Sequence, residues 1–426
     1  MNHISDDLLT QCMHCGLCLS VCPTYALTGL EKSSPRGRIR LMKSVMEGKL
    51  PVSDVFVDEM EFCLDCQACE TACPAGVRYG ELVESARIFI EKNRERTSLK
   101  VFILRNVVVK RNVLHFMARL VRIYQASGLE RATLAILGAF HNRLYKLVKQ
   151  LPRISDSFSI NTIPTVSEPG DNPRGTVAVL TGCVMDVFFA DINRDTVDVL
   201  KENGWKVVVP KDQVCCGSLN AHNGDGETPK TLARKNIEAF EKTNADYYVI
   251  NSAGCGAFMK QYGEVLAGDR DFSERAKKFA AKVRDFSEFL FQTGYRKPTA
   301  HLGKPTVYHE ACHLVHAQRV SIEPGALVKD AVGKDFRKLN EATWCCGSAG
   351  IYNVVRYDDA LKLLKRKMEN IKESGAGIVV TGNPGCMLQI RSGALDEGLN
   401  IEVTHPATML NRLYKSENKD RDGGAS

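Results

Sequence analysis

Apolar positions recur at helical spacing from Tyr79 to about Arg96. Leu114, Met117, Leu120, Val121 and Tyr124 repeat the spacing, with Arg111, Arg119 and Arg122 interleaved. Leu134, Leu137, Leu144, Leu147 and Val148 outline a further helix. Nearer the N-terminus, Pro35 suits a first helical position and Ser34 the cap before it, which predicts a helix to about Val45. The period changes in the C-terminal half. Short apolar runs at 177–180, 205–209 and 247–250 read as strands, and so do 307–309 and 378–380. Residues 154–175 are rich in Pro, Ser and Asn and read as a linker, and 416–426 as a disordered tail.

The strand-like runs carry cysteines in register. Cys183, Cys215, Cys216 and Cys255 are followed by Cys312, Cys345, Cys346 and Cys386, at offsets of 129, 130, 130 and 131 residues. Near-constant offsets with matching local pattern mean a tandem duplication. Each copy alternates strand and helix, so each is expected to be a small α/β domain with a mainly parallel sheet. Its cysteines fall at strand ends or helix starts, where such sheets bind ligands.

Composition narrows the class. The chain has 426 residues, 44% apolar and 25% charged, as in soluble globular proteins of about three domains. The N-terminus has no basic and apolar leader, and no run of about 18 uncharged apolar residues exists. A cytoplasmic, reducing setting is expected, with thiols used for metal. Charge is uneven: residues 91–153 hold fourteen Lys/Arg against three Glu, a net of +11, while the whole chain is +7. A basic amphipathic pair of helices can lie on an anionic membrane surface, dock a partner or pack on its own domain. The segment lacks an aromatic platform or reading motif, so no nucleic acid is expected.

The remaining eight cysteines carry the strongest pattern. Cys12, Cys15, Cys18 and Cys22-Pro23, then Cys63, Cys66, Cys69 and Cys73-Pro74, both follow C-x2-C-x2-C-x3-C-P. This run ligates [4Fe–4S] clusters, and its fourth cysteine serves the other cluster. The expected sets are Cys12, Cys15, Cys18 and Cys73, and Cys63, Cys66, Cys69 and Cys22. Zinc sites favour paired C-x2-C units with a longer spacer. The insertion at 23–62 contains the predicted helix, which makes this a helical ferredoxin module. Arg36, Arg38 and Arg40 on it are candidates to face the anionic clusters.

The duplicated cysteines allow several chemistries: a further cluster, zinc or a thiol/disulfide site. His309, His313 and His316 flank Cys312 and could supply a ligand or move protons, with Glu310 a weaker candidate. No G-x-G-x-x-G follows a strand and no Walker loop is present, so nothing points to NAD, FAD or ATP on this chain. The predicted architecture is α+β multidomain. A helical ferredoxin domain spans 1–96, a basic helical segment 97–153, a linker 154–175, and Cys-Cys-Gly domains 176–300 and 301–415, before the tail.

The doubled cluster motif, Ser34-Pro35-Arg36-Gly37-Arg38, Ser252-Ala253-Gly254-Cys255-Gly256-Ala257-Phe258 and Cys345-Cys346-Gly347-Ser348-Ala349-Gly350 together resemble the iron–sulfur subunits of glycolate oxidase over nearly the whole chain. The Cys-Cys-Gly domain also occurs in heterodisulfide reductase, anaerobic glycerol-3-phosphate dehydrogenase and lactate utilisation proteins. The resemblance implies an electron-transfer subunit, not catalytic alone, of a membrane-associated 2-hydroxyacid dehydrogenase. An FAD-binding partner would oxidise glycolate or D-lactate, and electrons would pass through this chain to a quinone-level acceptor. The chain would sit in the cytoplasm or on the inner face of the cell membrane. The competing reading is a heterodisulfide-reductase-like or glycerol-3-phosphate-dehydrogenase-like subunit with redox chemistry at the Cys-Cys-Gly centres. A third gives those domains a zinc-bound docking role. One departure is that heterodisulfide reductase has C-x-x-C at its last cysteine, where this chain has Ser252 and Asn383.

Overall fold

The computed structural model describes residues 4, 6–93, 97–138, 145, 148–149, 151–170 and 172–423. The helix that Ser34 and Pro35 predict in the N-terminal module is Pro35–Met46. The Ser34 hydroxyl accepts from the Gly37 N–H at 3.0 Å and Pro35 takes the first turn. A Cβ at Gly37 would lie 1.9 Å from the Glu31 carbonyl oxygen, so only glycine fits. Ile39 and Met42 on this helix pack with Phe56 and Met60 of the helix Asp54–Phe62 and with Leu82, Val83 and Ala86 of Tyr79–Lys92. Residues 94–96 of the helix predicted from Tyr79 lie outside the described residues, as do Leu144 and Leu147 of the helix predicted from Leu134.

The basic segment forms Leu99–Ile103, a wide turn Leu104–Val108, Arg111–Ala126 and Leu129–Gly138. One face of Arg111–Ala126 packs on its own chain. Ala118, flanked by Leu114 and Val121, meets Ile154, Phe158 and Val187. His115 Nε2 lies 2.7 Å from the Asp186 carboxylate, and Arg111 donates to the Lys211 carbonyl at 2.9 Å. The Arg105 guanidinium grips Asp225 at 2.9 Å. The other face leaves Val113, Phe116, Met117, Leu120 and Ile123 exposed. The stretch read as a linker is packed: Ile154, Phe158, Ile160 and Ile163 are buried.

The first copy has a five-stranded sheet in the order β1-β3-β2-β4-β5, with β1 Val166–Ser167, β2 Thr176–Val179, β3 Lys206–Val208, β4 Tyr247–Ile250 and β5 Val283–Asp285. Only β1 is antiparallel. The second copy has a parallel sheet β6-β7-β8, formed by Thr306–Tyr308, Ile378–Val380 and Glu402–Thr404. Its counterpart of β3 shrinks to one bridge, Thr306 with Phe336, 130 residues on from Thr176 with Lys206.

Both copies contribute to one continuous core, from Val177 and Trp205 through Val307 to Leu413. The tail expected over 416–426 is instead helix as far as Gly423, because Pro406–Gly423 runs on, and 424–426 lie outside the described residues. Its Glu417 carboxylate accepts from the Ala300 N–H at 3.0 Å and pairs with Arg296 at 2.6 Å. Those partners hold a polar stretch that has no apolar pattern of its own.

Candidate metal centres

Each cysteine loop of the N-terminal module carries left-handed residues at matching places. His14 and Gly16 have φ of 55° and 89°, and Asp65 and Gln67 have 53° and 60°. Alternating hands in this way turns successive N–H groups into a concavity, the geometry that receives anions and iron–sulfur groups. The thiols gather accordingly. One cavity is lined by Cys12, Cys15, Cys18 and Cys73. A second is lined by Cys22, Cys63, Cys66 and Cys69. Each set combines three thiols of one motif with the fourth of the other. Four thiols around one cavity is a donor set that fits a [4Fe–4S] cluster.

The two cavities differ in cover. Cys15 is exposed and Cys12, Cys18 and Cys73 are half-buried, whereas Cys22, Cys63, Cys66 and Cys69 are all buried. Burial, then neighbouring thiols, pushes the Cys66 and Cys69 thiols well up. Arg36 reaches the first cavity and donates to the His14 carbonyl at 2.8 Å. Arg38 lines the second and is wholly buried, donating to the Glu59 carbonyl at 2.7 Å and to Thr24 Oγ1 at 3.0 Å. Burial works against its charge, but Tyr79, Cys63, Cys22 and Glu59 outweigh it and raise its pKa. Arg40 is exposed and lines neither cavity.

In the first copy Cys183 and Cys215 stand 3.4 Å apart, and Cys216 is within reach of Cys215 and Cys255. The second copy repeats the chain of contacts from Cys312 to Cys345, Cys346 and Cys386. The glycine after each pair is structural: Gly217 and Gly347 have φ of 93° and 88° and donate their N–H to Cys215 and Cys345 Sγ at 3.5 Å. Cys255 and Cys386 open the helices Ala253–Lys260 and Pro384–Asp396. The loops bearing them abut, with the Ala253 N–H donating to the Gly382 carbonyl at 3.1 Å. Ser252 and Asn383 stand just before these helices without a side-chain capping bond, and Asn383 Nδ2 donates to Cys386 Sγ at 3.3 Å.

The histidines separate into different roles. His309 is buried beside Cys346 and Cys386. His313 Nδ1 lies 3.6 Å from Cys312 Sγ, and His316 Nδ1 lies 2.9 Å from Thr71 Oγ1. Burial pushes both His313 and His316 down to about 4, so each is neutral at pH 7. Glu310 pairs through its backbone with Ala342.

The module and the second copy share a seam. Phe62, Leu64 and Cys66 pack with Cys345, Tyr352, Ala360 and Leu363. Sequence reasoning missed the polar junction beside it. His222 of the first copy sits 3.1 Å from Asp65 and 2.5 Å from Glu84. Burial opposes its charge, but Glu84 and Asp65 raise it to about 10. Arg87 binds the Met60 carbonyl at 3.1 Å and the His222 carbonyl at 2.8 Å. Lys367, wholly buried under the second copy's thiols, was also missed; burial lowers it to about 8. Nothing in the local sequence marks these residues, because their partners are far away in the chain.

Comparison with known proteins agrees with this layout. The 4Fe-4S dicluster domain family matches residues 8–77, and the cysteine-rich domain family matches 177–260 and 306–391. The chain is 37% identical over 414 residues to a probable glycolate oxidase iron-sulfur subunit of Bacillus subtilis, covering 94% of this chain and 93% of the relative. It is 30% identical over 395 residues to the glycolate oxidase iron-sulfur subunit of Escherichia coli, covering 91% of each. Lactate utilization protein A of Shouchella clausii is 30% identical over 236 residues, 55% of this chain and 98% of the relative.

Proposed function

The chain belongs to the family of glycolate oxidase iron–sulfur subunits, and from that premise we propose that it carries electrons between a flavoprotein partner and a quinone-level acceptor. The partner would hold FAD and oxidise glycolate or D-lactate; the chain alone has no dehydrogenase activity. The single observation that carries the reading is the pair of four-thiol cavities, one near the surface and one buried.

The residues divide the work. Cys12, Cys15, Cys18 and Cys73 would hold the outer cluster, and Cys22, Cys63, Cys66 and Cys69 the inner one. When bound, each cluster supplies a one-electron carrier. Arg38 places a fixed cation at the inner cavity, which favours added negative charge there. Leu64, Phe62 and Tyr352 keep water from the inner cavity on the side of the second copy. Met13 and Leu17, 67% and 55% exposed, rim the outer cavity and offer an apolar edge to a redox partner.

Anaerobic purification with counts of iron and acid-labile sulfide, and EPR of the reduced chain, tests this. About eight iron per chain in two cubane signals is expected. Fewer than that in an anaerobic preparation, or dehydrogenase activity in the isolated chain, overturns it. Disulfide reduction by the purified chain, lost on Cys215→Ser, would instead favour redox chemistry at the Cys-Cys-Gly centres.

The acceptor side lies at a membrane in this proposal. No helix is long and apolar enough to cross one, among the described residues. The helix Arg111–Ala126 nonetheless leaves Phe116, Met117, Leu120 and Ile123 exposed, alongside Leu99, Phe102 and Ile103. They stand in a segment of net +11, a pairing that suits an anionic lipid surface on the cytoplasmic face. Co-sedimentation with vesicles containing phosphatidylglycerol should exceed that with neutral vesicles. Phe116→Glu with Ile123→Glu should abolish it; equal binding to both vesicles would sink the idea.

A further inference from the structure

The two Cys-Cys-Gly copies are not equivalent. In the second, a ring nitrogen of His309 and the sulfurs of Cys346 and Cys386 all lie within 4.8 Å of one another, and all three residues are buried. No matching triad occurs in the first copy among the described residues. There Leu180, buried and apolar, stands in the place of His309, 129 residues earlier.

His309 is 1% exposed, yet neither ring nitrogen makes a hydrogen bond. The Ala342 carbonyl lies near the ring without closing one. Its backbone N–H is held by the Val380 carbonyl at 2.9 Å, so the ring is placed by the end of β7. A buried polar group left without a partner is costly, and native proteins keep few of them. An imidazole aimed at two thiols is the donor set of a metal site.

We propose that the second copy, and not the first, binds one zinc-class divalent ion through His309, Cys346 and Cys386. Mixed imidazole and thiolate ligation selects zinc over hard divalent ions. Tetrahedral bonds of the usual lengths put such donors roughly 3.5–4 Å apart, so only small rotamer adjustments close the site. Two thiolates neutralise the ion. The second His309 nitrogen then finds the Ala342 carbonyl, the usual orienting partner of a ligating histidine. Asn383 Nδ2, 3.3 Å from Cys386 Sγ, orients that sulfur. The fourth tetrahedral position remains for another thiolate or water. His309 thereby supplies the donor that Asn383 cannot at the position where a C-x-x-C pair would offer a second thiol. The inference does not depend on the electron-transfer reading.

The full chain, produced anaerobically in zinc-supplemented medium, gives the test. Zinc and iron are counted together, and the zinc-edge X-ray absorption spectrum is fitted for nitrogen and sulfur neighbours. About one zinc per chain with a mixed nitrogen and sulfur shell is expected. His309→Ala should lose most of the zinc while iron stays unchanged. His309→Cys should keep it with the imidazole nitrogen replaced by a third sulfur, and Cys216→Ser in the first copy should leave it untouched. The His309→Cys arm decides the matter if His309→Ala fails to fold. Zinc retained in His309→Ala, zinc lost equally in His309→Cys, iron lost in place of zinc, or a shell without nitrogen in the unmutated chain would each overturn the proposal.

Discussion

At the scale of single residues, the cysteine sets depend on glycines as much as on thiols. A Cβ at Gly347 would stand 2.6 Å from the Ala360 carbonyl oxygen, at a φ of 88°. The left-handed backbone alone costs a non-glycine residue about 1–2 kcal/mol, and backbone cannot swing aside as a side chain can. Gly375 is a matched control, with a φ of 64° and nothing within 4 Å of its added Cβ. Gly347→Ala should therefore lower the melting temperature of the apo chain by several degrees more than Gly375→Ala, and equal shifts would refute the close-contact argument. The Cys-Cys-Gly spelling was legible in the sequence because the turn is local. Three thiols of each cavity come from one C-x2-C-x2-C loop, which its own spacing fixes, whereas the fourth crosses from the other motif and is brought there by the fold. The partners of His222 and Lys367 were not legible, since Asp65 and Glu341 reach them only through the fold. Arg36, Arg38 and Arg40 looked alike in sequence, yet helix rotation sends Arg38 inward and Arg40 to solvent.

At the scale of elements, β5 ends in a residue whose charge the fold opposes. Asp285 caps the helix Phe286–Thr293, accepting from the Ser287 N–H at 2.8 Å. Burial raises its carboxyl to about 7, with Glu288 adding to the rise and Lys260 opposing it. The folded state thus holds a proton that the unfolded state releases near pH 4. The contribution is fully present below that pH and is lost as pH rises towards 7. Asp285→Asn keeps an acceptor for the cap but carries no charge. It should flatten the fall in stability between about pH 4 and 7 and stabilise the chain at pH 8 by about 1–3 kcal/mol. Urea unfolding at several pH values reads this; a slope identical to that of the unmodified chain would refute it. Elements also show where periodicity runs out. The apolar stripe of Arg111–Ala126 was visible, but not its division between Leu114 and Val121 facing inward and Met117 and Leu120 facing out. A helical period marks a face without saying what covers it. The counterpart of β3 near Phe336 is one bridge, where Phe336-Arg337-Lys338-Leu339 lacks the apolar run Val207-Val208-Val209 at β3.

At the scale of the whole molecule, the domains arrange the two four-thiol cavities along a gradient of exposure. The outer set opens to solvent at Cys15, whereas the inner set lies behind Phe62 and Leu64, which pack against Tyr352, Ala360 and Leu363 of the second copy. Arg356 pins the same seam to Asp58, and Arg319 donates to Thr71 Oγ1 at 2.7 Å. The duplicated half therefore covers the inner four-thiol set. The tandem repeat was plain in the sequence, but its docking on the cluster module was not, because the seam joins residues nearly three hundred positions apart. Iron loss to a strong chelator should follow this geometry. About half the iron of the anaerobic chain should leave quickly and the rest at least tenfold more slowly. Leu363→Asp, which puts a charge into the seam without removing a thiol, should bring the slow phase towards the fast one while leaving the fast phase unchanged. Cys15→Ser should remove the fast phase and spare the slow one. A single phase in the unmodified chain, or a slow phase indifferent to Leu363→Asp, would mean that the second copy does not protect the inner centre. The exposure gradient would then say nothing about the order in which electrons meet the two sites.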